Sequence, residues 1–498
     1  MGNAARALGM VLLLFGRIAH ADNFDDVPLG GKTAAMSGAA IARGQDSAMP
    51  VLNPAGLALV PASTVSVSAS AYSLRYTHHD AWFGPGRPAD STTFSSYPSG
   101  LAYVLHFGDQ ERPFVLGASF SAPMQTKRSI VGGDTDSAGF RTQDAFLADV
   151  IQYQASLSAA LGLGKLRLGA SAILGHYAGT FVINSALFGR GQMVFPSQNE
   201  TNTSDELAGL VGMQLDLDDH WSVGASARTP SLHLAGSASG QVGRDTGSIT
   251  GGFSFAIPAR VGLGVQLRAS PWVLALDLSL TLPGDAAWSF DGGHYETQTS
   301  VQGALGVERT LESGNSLRAG VFARSSSFGY QQYTKLGNRY DPAIAAWPLW
   351  QAGPSFGYGM RLGPVDTTMG VQTSVGADRK GVPLEGTQRG VDPIAPRGRE
   401  SSTFEIGVIA FVSATVDVSF EQCFKDPRKC PHGPGAERPE EPTPSPNLTP
   451  PPPPPPPPPA EPPRECNQPA DCGSRGALPR GYQWVCRSGK CAISKGKR

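Results

Sequence analysis

The sequence predicts an all-β protein, a transmembrane antiparallel β-barrel of about 14 strands. Three observations favour this fold. Apolar and polar residues alternate along most of the chain, short and long connections follow one another in turn, and charged residues make up only 16% of the chain. An average soluble protein carries about 25% charged residues. The rival fold is a soluble Greek-key sandwich, which has no reason to alternate short and long connections.

The alternation identifies individual strands. Val65, Val67 and Ala69 share one face of a strand whose other face carries serines. The last such stretch has apolar residues at every second position from Phe404 to Phe420 and polar residues between them, and its length suits a tilted membrane strand. Strands are predicted to start near residues 63, 97, 113, 147, 165, 205, 220, 249, 271, 297, 315, 353, 365 and 402. An even number is typical of bacterial outer-membrane barrels.

The connections between these strands provide an independent test. Those near residues 108–112, 162–165, 218–219, 269–270, 311–315 and 363–364 are short. Those near 77–96, 124–146, 181–204, 329–352 and 377–401 are long. Outer-membrane barrels join their strands by short periplasmic turns and longer outer loops.

The N-terminus predicts export. Residues 1–21 read as a signal peptide, because an apolar run from Ala7 to Phe15 precedes the small-x-small sequence Ala19-His20-Ala21. The mature chain then starts at Asp22. That apolar run is far shorter than the roughly 20 residues of a membrane-spanning helix, so any spanning elements are expected to be strands.

The composition changes after residue 420, where the predicted barrel (63–420) ends. Residues 421–463 are rich in Pro and Glu and include ten consecutive prolines, which predicts a polyproline II linker. Residues 464–498 contain Cys466, Cys472, Cys486 and Cys491 and predict a small basic module that needs disulfides to fold. Three pairings of these four cysteines remain open, and Cys423 with Cys430 is predicted to close a further loop. Zinc is the competing use of the four cysteines, but their spacing does not match paired knuckles.

A small-residue segment precedes the first strand. It contains Gly30-Gly31-Lys32-Thr33-Ala34-Ala35 and ends in Asn53-Pro54-Ala55-Gly56. Glycine and alanine let backbones approach closely, and an Asn-Pro turn punctuates the chain. Taken alone, this motif predicts a turn that leads into the first strand.

This order of residues resembles the start of the FadL/TodX family of outer-membrane transporters of hydrophobic compounds. The resemblance implies a hatch inside the barrel over residues 22–62, with Asn53, Pro54, Ala55 and Gly56 as its functional element. It also implies a lateral opening in the third strand, where Gly117 and Pro123 are the residues able to interrupt hydrogen bonding. The alternative for Pro123 is a strand that simply ends there. Members of this family normally stop at the aromatic end of the last strand, so the C-terminal extension is atypical.

Candidate ligand-binding residues come from the inward faces of the predicted strands. They are Arg260, Arg268, Arg318, Phe322 and Arg324. Arginines that face a lumen are able to hold a carboxylate bidentately. The alternative is that they pair with the acidic residues Glu308, Asp277, Glu405 or Asp417 of the same lumen.

Enzyme chemistry is not predicted. Residues 353–357 fit the letters of a nucleophile elbow, but a strand follows where a helix is needed. No metal site and no cofactor are predicted, and the net charge of −1 gives no indication of nucleic-acid binding.

The resemblance implies passive uptake of hydrophobic compounds such as long-chain fatty acids or aromatic hydrocarbons, in contact with outer-membrane lipid. The alternative is a barrel that serves as a docking partner in envelope or secretion assembly. Its periplasmic tail, residues 464–498, would then bind peptidoglycan or another protein.

Overall fold

The computed structural model describes residues 29–44, 46–80, 88–109, 112–135, 141–189, 192–194, 197–242, 249–288, 294–296, 299–325, 333–336, 339–342, 350–363, 365–381, 401–418, 482–487 and 490–495. The predicted signal peptide and linker lie outside these residues, as do Cys423, Cys430, Cys466 and Cys472. Residues 29–63, here called the N-terminal segment, contain helix α1 (Gly31–Ala35), helix α2 (Met49–Leu52) and a 3₁₀ helix (Pro54–Leu59). None of the described helices combines the length and the hydropathy that crossing a membrane requires.

Strands make up most of the remaining described chain. In chain order they are β1 (Thr64–His79), β2 (Ala89–Phe107), β3 (Phe114–Thr135), β4 (Arg141–Leu163), β5 (Leu166–Gly189), β6 (Gln192–Val194), β7 (Ser197–Asp216), β8 (Trp221–Arg228), β9 (Leu232–Val242), β10 (Ile249–Gly251), β11 (Phe253–Phe255), β12 (Arg260–Ala269), β13 (Trp272–Thr281), β14 (Asp285–Trp288), β15 (His294–Glu296), β16 (Ser300–Thr310), β17 (Ser316–Arg324), β18 (Tyr333–Leu336), β19 (Arg339–Pro342), β20 (Trp350–Leu362), β21 (Val365–Gly381) and β22 (Ser401–Asp417).

Fourteen of these strands close an antiparallel barrel. Each pairs with the next in the order β1, β2, β3, β4, β5, β7, β8, β12, β13, β16, β17, β20, β21 and β22. The last strand returns to the first, with Thr64 opposite Asp417 and His79 opposite Thr403. The predicted fold class and strand number are therefore confirmed.

Alternation along each strand separates an apolar outer surface from a polar lumen. On β4 the side chain of Leu157 is 71% exposed, while its neighbours Ser156 and Ser158 are 4% and 6% exposed. On β22 Ile406 and Val408 are exposed while Glu405 is buried. Successive strand residues point to opposite faces, so this pattern places leucine, valine and phenylalanine towards lipid.

Connection lengths differ between the two ends of the barrel. Residues 108–113, 164–165, 217–220, 270–271, 311–315 and 363–364 form short connections at the end where β1 starts and β22 ends. In the 164–165 turn Gly164 adopts a φ of 66°, which side chains of L-residues rarely tolerate. At this short-turn end the amide of Val418 donates to the carbonyl of Ser63 at 2.7 Å, which ties the last strand to the first.

The strands extend further towards the long-connection end than the sequence predicts. β2 starts at Ala89 instead of near 97, β4 at Arg141 instead of near 147, and β7 at Ser197 instead of near 205. The sequences of these extensions are mostly polar, with Phe94 as an exception. The alternation that reveals a strand is lost there, although the backbone pairing continues.

The C-terminal unit, Pro431–Arg498, is a separate compact unit. Its described part is a hairpin of β23 (Tyr482–Arg487) and β24 (Lys490–Lys495), in which Cys486 is the register partner of Cys491. The disulfide pairing of the module stays a prediction.

An arginine in the middle of the outer surface is expected to weaken the barrel. In Leu157→Arg the charged side chain meets hydrocarbon, which costs about 2–4 kcal/mol at the bilayer midplane. The matched control is Leu217→Arg, because Leu217 is 54% exposed in the 217–220 turn and a charge near the interface costs about 0–1 kcal/mol. Urea unfolding in lipid vesicles, followed by tryptophan fluorescence, measures both. Equal destabilisation by the two variants would contradict the assignment of the outer surface.

Candidate functional site

The N-terminal segment packs against inward-facing residues on opposite sides of the barrel. Leu57 is fully buried in a cluster with Val104, Val115 and Ala160 of β2, β3 and β4. At the other side Met36 packs with Ala275, Ala304 and Phe322 of β13, β16 and β17. A chain of small residues fits this space because each buried alanine or glycine brings little volume. The segment therefore lies within the lumen, enclosed by strands.

Asn53 joins the N-terminal segment to the wall. Its Nδ2 donates to the carbonyls of Ile41 at 2.7 Å and Met213 at 3.2 Å, and its Oδ1 accepts from the amide of Ala55 at 3.3 Å. The last bond caps the 3₁₀ helix, so one buried side chain satisfies three backbone groups. Pro54, Ala55 and Gly56 are also buried. All four residues of the predicted hatch element thus lie at the contact between segment and wall.

A glycine of the barrel wall lets the N-terminal segment approach the strand closely. A Cβ added to Gly169 of β5 would lie 2.5 Å from the amide nitrogen of Ala55 and from the carbonyl carbon of Pro54. The backbone of the 3₁₀ helix therefore rests directly on the backbone of the strand. Any other residue at this inward position would push the segment away.

A buried aspartate on β13 also holds the N-terminal segment, at residues 40 and 41. Oδ2 of Asp277 accepts from the amides of Ala40 at 2.5 Å and Ile41 at 2.7 Å. Gln214 of β7 donates from Nε2 to the carbonyl of Ile41 at 2.8 Å. Two wall side chains thus satisfy backbone groups of residues 40 and 41, which lie between α1 and α2.

A charged group fixes the segment at a second place. Arg43 forms an ion pair with Glu308 of β16, and Nε of Arg318 on β17 donates to the same carboxylate at 2.5 Å. Nη1 of Arg318 also donates to Thr368 at 3.0 Å. Arg43, Glu308 and Arg318 are all largely buried, so breaking this group would leave uncompensated charge.

A pocket remains between the N-terminal segment and the wall, and we call it the lumen pocket. About 460 Å³ free of protein atoms lies in the pocket and in the open solvent at its mouth. Its lining is mixed: apolar side chains come from the segment and the wall, and polar ones from β8, β12, β13 and β16. The lining residues are Gly38, Ile41, Val51, Leu52, Leu210, Ser226, Arg228, Arg260, Asp277, Ser279, Gln302 and Ala304. Such a mixture suits a ligand that is mostly apolar and carries a small polar group.

Of the five predicted ligand-binding residues, Arg260 lines the lumen pocket. Its Nη2 donates to Ser279 at 3.0 Å and to Gln302 at 3.4 Å. Phe322 packs against Met36 of the N-terminal segment, and Arg318 contacts Glu308. The guanidinium of Arg324 donates to Gln351 at 2.7 Å, in a buried chain that continues to Glu405. All four side chains therefore have structural partners inside the barrel, and Arg260 is the one that also lines the lumen pocket.

Arg268 lies at the short-turn end. Its Nη2 donates to Asp216 at 2.7 Å and also contacts Ser222, while Arg167 donates to the other oxygen of Asp216 at 2.6 Å. This group links β5, β7, β8 and β12 at the rim. It lies at the opposite end of these strands from the long connections.

The two lateral-opening candidates have different surroundings. Gly117 pairs with Val104 of β2 and Ser158 of β4, so the ladder is continuous on both sides of it. Pro123 lies in a register shift of the β3–β4 ladder, between Ser121 and Met124. Among the described residues, pairing of β2 with β3 ends at Gly100 and Ser121, although both strands continue. The wall is interrupted at Pro123 and intact at Gly117.

An aromatic cluster lies next to this interruption. Tyr177 of β5 stacks on Phe255 with a centroid distance of 4.3 Å and lies 5.5 Å from Phe253. Met124, which follows Pro123, and Val150 belong to the same buried cluster. The cluster places an apolar surface inside the lumen beside the unpaired edge of β3.

The inward course of residues 253–257 depends on a buried carboxylate that the sequence did not single out. Ser204 accepts from the amide of Phe255 at 3.1 Å, and Ser231 accepts from the amide of Ile257 at 2.8 Å. Both serine hydroxyls donate to Glu206, which is 1% exposed. Glu206 and Gln214 were missed, and Asp277 was predicted only as a possible partner of the lumen arginines, because a polar residue on an inward strand face looks the same whether it meets water or a backbone amide.

Comparison with solved structures gives several matches that cover most of this chain. They include a FadL homologue of Pseudomonas aeruginosa, with 15% identity over 78% of this chain and 99% of that one and a TM-score of 0.56. The toluene transporter TodX of Pseudomonas putida has 17% identity, covers 80% of this chain and 100% of its own, and has a TM-score of 0.51. The toluene transporter TbuX of Ralstonia pickettii has 13% identity, with 79% and 99% covered and a TM-score of 0.52.

The chain has the fold of these channels. The predicted resemblance is thereby confirmed at the level of the fold. No family model matches the sequence, and no curated protein matches it. Sequence identity of 13–17% leaves the ligand to be argued from this chain's own residues.

Removing the carboxylate of Asp277 is expected to loosen the N-terminal segment. In Asp277→Ala the amides of Ala40 and Ile41 lose their acceptor, which costs about 1–3 kcal/mol locally. Hydrogen exchange of these two amides should then become about 5- to 100-fold faster. The control is Asp219→Ala, which changes an exposed residue of the 217–220 turn. Unchanged exchange in Asp277→Ala would show that this carboxylate does not hold the segment.

Proposed function

We propose that the protein is a passive outer-membrane channel through which small hydrophobic compounds enter the cell. The observation that carries this proposal is the lumen pocket, a partly apolar space between a closed barrel and the segment packed inside it. A wide barrel needs such a plug to keep other solutes out. In this proposal the N-terminal segment is the hatch, and Asn53, Asp277 and Glu308 hold it in place.

Support for the class of cargo comes from two sources. The fold is shared with toluene transporters, and the lumen of this chain presents an aromatic cluster around Tyr177. We favour compact aromatic compounds over long-chain fatty acids, because the lining of the lumen pocket is partly polar. Diffusion down a concentration gradient is sufficient for a compound that is consumed inside the cell.

The proposed exit is sideways, through the interruption at Pro123. An apolar compound that has reached the aromatic cluster meets the unpaired edges of β2 and β3, beyond which lies lipid. Leaving through the wall spares the compound the aqueous path along the barrel axis. Gly117 has no part in this exit, since both of its ladders are intact.

Docking by the C-terminal unit is a second candidate function. The solved channels align along almost their whole length but cover only 78–80% of this chain, and Pro431–Arg498 is a separate compact unit. In this proposal the unit lies in the periplasm, because with an even number of strands the first strand starts and the last strand ends on that same side.

Filling the lumen pocket is expected to abolish uptake. Ala304 is 4% exposed and lines the pocket, so Ala304→Phe places a ring in the space proposed for cargo. The control is Ala323→Phe, which adds the same ring on the exposed face of β17. Uptake of labelled toluene by cells that lack other hydrocarbon channels is measured at equal amounts of barrel in the membrane. For Ala304→Phe we expect toluene uptake as slow as in cells that lack the protein. For Ala323→Phe we expect uptake at the wild-type rate.

The same assay separates the two candidate functions. Deletion of residues 421–498 should leave toluene uptake unchanged if the barrel is the channel. Wild-type cells that take up no more toluene than cells without the protein would contradict the channel proposal and favour docking.

Straightening β3 is expected to close the proposed exit. Two residues, Ala122 and Pro123, stand opposite the single residue Tyr153 between paired positions, so deleting Pro123 restores a regular ladder with β4. Pro123→Ala keeps the extra residue and serves as the control. Toluene uptake should fall to background in the deletion and stay near wild type in Pro123→Ala. Wild-type uptake by the deletion variant would exclude an exit at this place.

A further inference from the structure

Only one of the two carboxylate oxygens of Asp277 has hydrogen-bond partners among the described residues. Oδ2 accepts from two backbone amides of the N-terminal segment, at 2.5 and 2.7 Å. Oδ1 has no hydrogen-bond partner among the described residues, although the side chain is only 5% exposed. A buried acceptor without a donor is costly, which marks this oxygen as a place where a donor is wanted.

The residue that carries this oxygen is part of the lining of the lumen pocket. Asp277 lines the pocket together with Ile41, Leu52 and Leu210, which supply apolar surface. Ser279 and Gln302 line the same pocket and already accept hydrogen bonds from Arg260. A ligand there meets an apolar wall with one acceptor built into it.

The charges around the pocket restrict what that ligand is. Arg228 and Arg260 both line it, and they are register partners on β8 and β12. Their positive charge opposes a ligand ammonium group, while Asp277 opposes a ligand carboxylate held against Oδ1. A neutral hydroxyl meets neither repulsion and supplies the missing donor.

We propose that the lumen pocket selects hydroxylated hydrophobic compounds, phenols or small alcohols, whose hydroxyl donates to Oδ1 of Asp277. This inference rests on the proposed channel function and names its cargo more narrowly. The ring or alkyl part of the ligand packs against Ile41, Leu52 and Leu210. The amide group of Gln302 is the donor available to the ligand oxygen.

Two ligands that differ by one hydroxyl test the proposal. p-Cresol and toluene share a methyl-substituted ring, and a purely apolar pocket binds toluene more tightly because the phenol must leave water. A buried carboxylate acceptor reverses that order, and in its ionised form a hydrogen bond to it gives about a 10- to 100-fold preference. Dissociation constants are measured by calorimetry with the full chain in lipid nanodiscs, after subtraction of partitioning into empty nanodiscs.

Asp277→Asn provides the decisive variant. An asparagine of the same shape keeps an oxygen for the two segment amides and turns its NH2 group towards the pocket, so the acceptor becomes a donor. The matched control is Asp216→Asn, the same substitution at a carboxylate of the short-turn rim that does not line the lumen pocket. We expect the preference for p-cresol to disappear in Asp277→Asn and to persist in Asp216→Asn.

The outcomes are distinguishable from failure of the channel proposal. Toluene binding as tightly as p-cresol to the wild type, or an unchanged preference in Asp277→Asn, would overturn the inference while toluene uptake still supported a channel. Tightest binding of p-toluate would also overturn it, because the arginines would then set the specificity. Absence of toluene uptake by wild-type cells would instead remove the channel on which the inference rests.

Discussion

The structure depends on one constraint: a strand that crosses lipid must satisfy its backbone hydrogen bonds on both edges. Water is absent from the hydrocarbon layer, so an open sheet edge is not tolerated there. The pairing of β22 with β1, from Thr64–Asp417 to His79–Thr403, removes the last edge. The apolar outer surface, the polar lumen and the small-residue segment inside it all follow from closing the sheet.

Closure creates a second problem, because the lumen must be filled without the driving force of a compact core. Fully buried Met36, Met49 and Leu57 supply part of the packing. Polar contacts add to this packing: Asp277 and Gln214 satisfy the backbone at residues 40 and 41, and Glu308 pairs with Arg43. These polar contacts fix the position of the segment because, unlike apolar packing, hydrogen bonds and ion pairs depend on direction.

The sequence predicts those features that depend on neighbouring residues. Alternation reveals the fourteen strands because it repeats every second residue, and Pro123 stands out because proline cannot donate within a ladder. Asn53 is visible through its Asn-Pro turn. Asp277 is not, because its role depends on Ile41, which lies 236 residues away in the chain. The strand ends near the long connections are also missed, since their sequences are mostly polar.

The two irregular places in this barrel have different physical origins, and the difference bears on how cargo moves. At Pro123 the ladder between β2 and β3 stops, and no described side chain replaces its hydrogen bonds. At residues 253–257 Ser204 and Ser231 replace them, both anchored on Glu206. The first interruption leaves two unpaired strand edges, whereas the second is an inward ridge that carries Phe253 and Phe255 beside them. In the proposed channel this arrangement favours exit at the first place, because the ridge offers an apolar molecule contacts while its own backbone groups stay bonded to Ser204 and Ser231.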